Sequence, residues 1–448
     1  MISGHRRDVA RLMRALDQEL RGRGRGALAA MQRELGYTKG WWQGRVTAGD
    51  ITIGQLLGVL GHLGLDPTKF VRRVLGDDDG FELDRPPGAP PALVARAWAR
   101  LRGGAEGGVG MGLLDTLDQE RYEAPAEALD VARWAVDHVE LALLPRLLGV
   151  AGAAWRRMIR LDEAAHAIRA GIEMAQLADD RAEIGKLLRR LAYVAADRGD
   201  RGEALRISEH AGMVLLRCGD AEFFGKALTD QGTWLYYLER FHESICTLEL
   251  ALLKLPSAPS RSRGQALQCI GACHRDLGNT ELASEFVGQA FQCVSDRNTV
   301  FKGKLLWLHA RILSDLGELE QAAHVLQDVV DVFRTLHHGE AALATCELVC
   351  IQLMLGQPRE AFNVAASMRA LMEPLHANQV ISTAIADLLR TGQAGLTLAL
   401  AEEVKARIAD ERQNQQNWRA LDAGFAVLCQ PQLSMIGPIQ DGSMRGTT

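Results

Sequence analysis

The side chains best able to do chemistry are dispersed along this sequence. His337-His338-Gly339-Glu340 is the densest group of possible metal ligands, but it falls at a turn between helical stretches, where a solvated loop is the simpler expectation. The eight cysteines include no C-x-x-C pair. Cys246, Cys269, Cys273, Cys293, Cys346 and Cys350 fall mostly in apolar helical stretches, as buried free thiols in a reducing compartment would. Gly108-Val109-Gly110-Met111-Gly112 echoes a dinucleotide loop, yet no strand precedes it. H-E-x-x-H, G-x-S-x-G and G-x-x-x-x-G-K-[ST] do not occur, and carboxylates spread along helix surfaces without clustering. The expectation is a non-enzyme with no catalytic residues, no cofactor and no metal.

Charge gives a second lead. Residues 1–75 hold 13 Lys and Arg against 6 Asp and Glu, while the rest of the chain holds 38 against 50. A basic head on an acidic body implies that the head meets phosphates and the body does not. The first residues lead into a charged amphipathic helix, not an apolar signal core. The most apolar windows, 51–65 and 141–159, are short or carry His62, Pro145, Arg146, Arg156 and Arg157, so no membrane span is expected and a cytoplasmic location is.

The elements that must position these residues are helices. Hydrophobic residues make up 47% of the chain but aromatics only 5%, a mix rich in unbranched side chains that lose little rotamer freedom in a helix. A repeat runs through residues 147–372. Small residues open a second helix at Ala164, Ala204, Ser244, Ala283, Ala322 and Ala361, at separations of 40, 40, 39, 39 and 39. Five residues before the small one, Gly199, Gly278, Gly317 and Gly356 suit a left-handed helix C-cap. Seven residues earlier still, Gly152, Ala192, Gly232, Gly271, Ala310 and Val349 let the first helix approach the second closely. Antiparallel hairpins stacked in an α-solenoid follow, a form suited to holding a partner.

This pattern resembles the tetratricopeptide repeat, although that family's unit is about 34 residues, so these helices would be longer by a turn or so. The resemblance covers Leu148, Gly152 and Trp155 in the first unit and Leu228, Gly232 and Leu235 in the third. It implies that the first helix of each hairpin lines a concave groove. Its inward positions would be Arg156, Lys186, Arg189, Tyr193, Lys226, Thr229, Tyr236, Gln268, Arg275, Lys304, Trp307 and Arg311. Such a cationic strip would take the carboxylates of a peptide or protein ligand, or would simply be an exposed solvated face.

In the head, apolar spacing and breakers predict short helices over 6–20, 27–35, 38–46, 53–63 and 68–75, with Thr38, Thr52 and Asp66 placed to open the last three. Residues 24–75, including M-Q-R-E-L-G-Y-T-K-G-W-W-Q and D-I-T-I-G-Q-L-L-G-V-L-G-H-L-G-L-D, resemble the helix-turn-helix domain of the phage-repressor-like (Xre/Cro) family. The resemblance implies that Thr38, Lys39, Gly40 and Gln43 read base edges in double-stranded DNA. Arg45 and the Arg21/Arg23/Arg25 run would contact phosphates, and Trp42 would be buried. Leu28, Val46, Gly40 and Gly44 depart from the family's pattern, which leaves open a module that serves docking or dimerisation.

The fold class expected is therefore all-α. A five-helix helix-turn-helix domain (1–75) is followed by a linker (76–115) holding a short helix at 92–101. A tetratricopeptide-like solenoid (116–428) comes next, with an extra pair before the series and a cap at 381–412, and then a disordered tail (429–448). The combination resembles bacterial transcription regulators with a repressor-like head and a tetratricopeptide sensor body. It implies a homodimer that binds DNA and senses a peptide or protein; the alternative is a tetratricopeptide adaptor whose head does not bind DNA.

Overall fold

The computed structural model describes residues 3–24, 26–38, 40–48, 51, 53–75, 91–103, 108–120, 124–294, 299–334 and 338–372. The chain forms two compact units, Met1–Val332 and Phe333–Thr448. In the first unit the head consists of α1 (Ser3–Gly22), α2 (Ala27–Glu34), α3 (Trp41–Ala48), α4 (Ile53–His62) and α5 (Pro67–Leu75). Three helices follow: α6 (Ala92–Gly103), α7 (Met111–Glu120) and α8 (Pro125–Ala135). The hairpins come next: α9 (Leu144–Arg157) with α10 (Leu161–Leu177), α11 (Arg181–Asp197) with α12 (Arg201–Cys218), and α13 (Ala221–Tyr237) with α14 (Phe241–Lys254). They continue with α15 (Arg261–Asp276) and α16 (Thr280–Phe291), then α17 (Thr299–Asp315) and α18 (Leu319–Arg334). In the second unit, α19 (His338–Met354) and α20 (Pro358–Met372) form one more hairpin. Among the described residues the fold is all-α; the sole β feature there is an isolated bridge between Val109 and Val139.

The small residues close the hairpins as their spacing requires. Ala164, Ala204, Ser244, Ala283, Ala322 and Ala361 are all fully buried. Facing them, a methyl group added at Gly152 would come within 2.5 Å of Ile168 Cγ1, and at Gly232 within 2.4 Å of Leu248 Cγ. Where the series has serine, Ser244 Oγ donates to the Gly232 carbonyl at 2.7 Å, so its hydroxyl is buried with a partner.

Every hairpin turns in one way. The residue five before the small one has a left-handed backbone, and the next N–H reaches back to close the helix end. These closing bonds are Arg160 N to Trp155 O, Asp200 N to Ala195 O, Arg240 N to Leu235 O, Asn279 N to His274 O, Glu318 N to Leu313 O and Gln357 N to Gln352 O, at 2.8–3.1 Å. Glycine occupies four of the six left-handed positions, but Ile159 (φ 62°) and Glu239 (φ 59°) occupy the other two. A β-branched side chain resists this conformation, so Ile159→Gly is expected to stabilise the fold by about 1 kcal/mol, the strain relieved less the entropy glycine adds to the unfolded chain. A denaturant midpoint that fails to rise would contradict this.

In the head, Trp42 is fully buried, as expected, and its Nε1 donates to Asp17 Oδ1 on α1 at 3.0 Å. Asp66 Oδ1 accepts the Lys69 N–H at 2.8 Å and so opens α5. The third helix departs from expectation. It starts at Trp41 and not at Thr38, because Gly40 takes φ 90°, outside the helical range. The Thr38 carbonyl accepts the Trp41 N–H at 3.0 Å and Gln32 Nε2 at 3.2 Å.

The short helix expected inside the linker at 92–101 is present as α6, and a second helix, α7, begins within the linker's last residues, at Met111. Residues 92–103 and 111–120 are helices whose Leu93, Val94, Ala97, Leu114 and Leu117 are buried in one core with α8–α12. Arg100, itself buried, donates to the carbonyls of Val136 and Val139. The glycine-rich loop before α7 is tied down as well: Val109 N donates to His138 O at 3.0 Å and Glu140 N to Val109 O at 3.2 Å. The expected cap at 381–412 and tail at 429–448 lie outside the described residues.

Candidate functional site

Two surfaces carry the candidate residues, the outer side of α3 and the first helices of the hairpins. On α3 and the turn before it, Thr38, Gly40 and Gln43 are exposed, while Lys39 lies outside the described residues. Arg45 does not extend freely toward a phosphate. It is half-buried with its guanidinium 5.8 Å from the centroid of the Trp41 ring, and that ring stacks on Tyr37 at 3.7 Å. Of the Arg-Gly run, Arg21 pairs with Asp17 at 2.7 Å and Arg23 donates to the Leu63 carbonyl. Arg25 lies outside the described residues.

The head is seated on the hairpins. Helices α4 and α5 pack on α12, and α4 also packs on α14. Leu56, Val59, Leu60 and Val71 belong to one apolar core with Met213, Leu216, Phe224, Ala227, Leu228 and Ala251. At its edge Gln55 Nε2 donates to Glu243 Oε2 at 3.3 Å. The Tyr37 hydroxyl is pushed up to about 12, by burial first and then by Cys246 and Glu243 of α14, with Arg45 opposing.

Along the first helices, the structure places the predicted groove residues in succession but pairs most of them. Arg156 Nη1 donates to Asp197 Oδ2 at 2.8 Å, Tyr236 Oη to Asp276 Oδ2 at 3.0 Å, and Arg275 Nε to Asp315 Oδ2 at 2.7 Å. Asp230 accepts from both Arg189 Nε at 2.7 Å and Tyr193 Oη at 2.6 Å. Lys226 pairs with Glu222 at 2.6 Å. Burial raises the Tyr193 and Tyr236 hydroxyls above the usual tyrosine range, with Asp230 and Asp276 acting in the same direction, so both remain neutral donors.

The cationic strip expected from the sequence is therefore largely an internal ladder, each rung joining one hairpin to the next. Its signal was present in the repeat. Arg156, Tyr236 and Arg275 stand eight residues before the small position, and Asp197, Asp276 and Asp315 stand seven before it in the following unit. Thr229 also leaves the expected lining: it is buried and its hydroxyl donates to Gly225 O at 3.0 Å in its own helix. Trp307 is buried too, with the Arg311 guanidinium 4.8 Å from its ring centroid. Lys304 is exposed and Gln268 half-buried.

One residue the sequence did not single out organises the strip between α11 and α13. The half-buried Phe223 ring has Lys226 Nζ at 4.2 Å, Lys186 Nζ at 4.5 Å and the Arg189 guanidinium carbon at 5.9 Å from its centroid. Such cations are attracted by the electron-rich ring face.

Among the described residues no group of three or more His, Cys, Asp or Glu could hold a metal ion. His337 lies outside them. No helix there is long and apolar enough to cross a membrane. Cys269, Cys273, Cys293, Cys346 and Cys350 are free and buried, whereas Cys246 is exposed.

No protein-family model matches the chain, and no curated protein matches it. Among solved structures it is similar to a Rap protein complexed with competence and sporulation factor, at 16% identity over 75% of this chain and 95% of that one, with a TM-score of 0.42. It is also similar to aspartyl phosphate phosphatase F from Bacillus subtilis, at 12% identity over 80% and 99%, TM-score 0.42. A third similarity is to the P58(IPK) TPR domain, at 16% identity over 88% and 97%, TM-score 0.21. At such scores these similarities carry no weight for what this chain binds.

Proposed function

We propose that the chain is a non-enzymatic transcription regulator that binds double-stranded DNA through its head, as a homodimer, and receives a peptide or protein along the first helices of its hairpins. The observation that supports this best is the head itself. Trp42 holds α3 against α1 from the inside, and Gln43 stands exposed on its outside with Thr38 and Gly40 exposed in the turn before it, where a recognition helix and its leading turn meet DNA. Helix α13 connects the two tasks. It carries Lys226 on its ligand side and contributes Phe224, Ala227 and Leu228 to the core shared with the head. A shift of that helix on ligand binding would move the head with it, provided the ligand favours one of two arrangements.

Full-length protein in gel shifts against a randomised duplex library tests the reading. Binding should weaken steeply with added salt, and Gln43→Ala should relax the selected sequence at one position, at a cost of about 1–3 kcal/mol for the preferred site. A folded protein that shows no salt-dependent binding to any duplex would exclude the regulator.

The docked head also favours a second reading, an adaptor in which the five helices serve to cover α12–α14 and bind no DNA. It predicts that the Gln43→Ala chain is indistinguishable from the parent in every DNA assay and that partner capture survives unchanged.

A further inference from the structure

The groove's cations are not equally available. Arg156, Arg189, Lys226 and Arg275 each have a carboxylate of this chain as partner. Lys186 has the Phe223 ring and, among the described residues, no carboxylate within ion-pair distance. Glu183, one turn earlier on the same helix, is buried, and burial raises its carboxyl above the usual range, against the lowering effect of Arg190 and Lys186. Around Phe223, then, three cations from two successive hairpins meet two paired carboxylates, Asp230 and Glu222. Asp230 is almost wholly buried and committed to Arg189 and Tyr193. Glu222 is half exposed, and its pair with Lys226 spans a single helical turn, the kind that contributes little and exchanges readily.

We infer that Phe223, with Lys186 and Lys226 beside it, is the anchoring point for an acidic segment of a peptide, each ammonium group taking one carboxylate. This rests on the groove reading above and names the chemistry of its ligand. Both ammonium groups lie close to one ring centroid, so a pair of neighbouring acidic side chains can reach them together. The ring beside them is apolar, and its electron-rich face repels an anion laid on it. That geometry suits carboxylates carried on methylene stems, which can rest against the ring edge while the charged ends reach past it. Arg189, committed to Asp230 at 2.7 Å, leaves the two ammonium groups to the ligand.

The test uses the full chain and fluorescence anisotropy with two labelled eight-residue peptides, one alternating Glu with Leu and the other Gln with Leu. The Glu peptide should bind more tightly by at least about tenfold and weaken with salt. Lys186→Gln should reduce its affinity by about tenfold while leaving the Gln peptide unaffected. Phe223→Leu, which keeps an apolar side chain but removes the ring that gathers the cations, should also weaken the Glu peptide, with an unchanged circular dichroism spectrum showing that the chain is folded. Equal binding of the two peptides, or a folded Lys186→Gln chain that binds the Glu peptide as the parent does, overturns the assignment. Displacement of the Glu peptide by inorganic tripolyphosphate at matched charge, more strongly than by unlabelled Glu peptide, overturns it in favour of a phosphate ligand. Gel shifts on the same preparations separate the two claims: peptide discrimination without DNA binding removes only the regulator, and DNA binding without peptide discrimination removes only this site.

Discussion

Replacing Asp230 with Ala is expected to destabilise the chain by about 3 kcal/mol, the lower end of what breaking a buried ion pair costs. Asp230 is 2% exposed and is the shared acceptor for Arg189 at 2.7 Å and Tyr193 at 2.6 Å. Removing it leaves a guanidinium with little access to water and a buried hydroxyl whose donor has lost its acceptor. Arg189 keeps 17% of its side-chain exposure, so some solvent returns to the cation and the loss stays below that of a fully enclosed pair. Asp230→Asn should cost less, because the amide oxygen can still accept from Tyr193. The Arg189→Met, Asp230→Leu double variant should recover much of the loss, since apolar groups leave no stranded charge. Denaturant unfolding of the three chains decides the matter: equal midpoints for Asp230→Ala and the double variant would mean that the pair is not what holds α11 to α13.

The second large effect concerns the head. A fragment ending at Leu75 should be far less protected than the same residues in the full chain. In the intact molecule Leu56, Val59, Leu60 and Val71 share a core with Met213, Leu216, Phe224, Ala227 and Leu228, and fully burying one such large side chain is worth about 1.5–3 kcal/mol. Loss of even part of that surface predicts hydrogen exchange in α4 and α5 faster by about a hundredfold in the fragment, or a melting point lower by about 10 °C. Matching exchange rates would show a head that folds independently and is merely tethered. If the expected result is found, DNA binding must be assayed on the full chain, because a failing fragment would report instability and not lack of affinity.

How much of this was legible depends on the range of the contact. The hairpins were readable because close helix approach imposes a small residue at every unit. Fully buried Ala164 through Ala361 stand where the period of 39–40 put them. The turns were readable at Gly199, Gly278, Gly317 and Gly356, and the positive φ of Ile159 and Glu239 shows the same backbone imposed where the residue type gave no hint. The buried Trp42 followed from the head's resemblance to a known module. The helix at 92–101 was legible from its apolar spacing, whereas the start of α7 at Met111 was hidden by the glycines that precede it, although Leu114 is buried in the same core as Leu93 and Ala97.

The candidate site was legible as a strip but not in its pairing. Lys186, Arg189 and Lys226 could be placed on first helices from the repeat alone. That Asp230 takes Arg189, and that Phe223 gathers three cations, depends on how α11 and α13 rotate against each other, which single-residue spacing does not specify.

What the sequence determined by itself is the helical repeat, its period, its turns and the basic head, because each is a short-range constraint that the local residue types must satisfy. What only the tertiary structure decided is where the head's apolar side goes and which cations keep a free face. Gln55 meets Glu243 across 188 residues, and an amphipathic helix carries the same pattern whether it packs on its own domain or on another. The partner of a buried face or a charge is set by the packing of whole helices, and that is a property of the assembled stack.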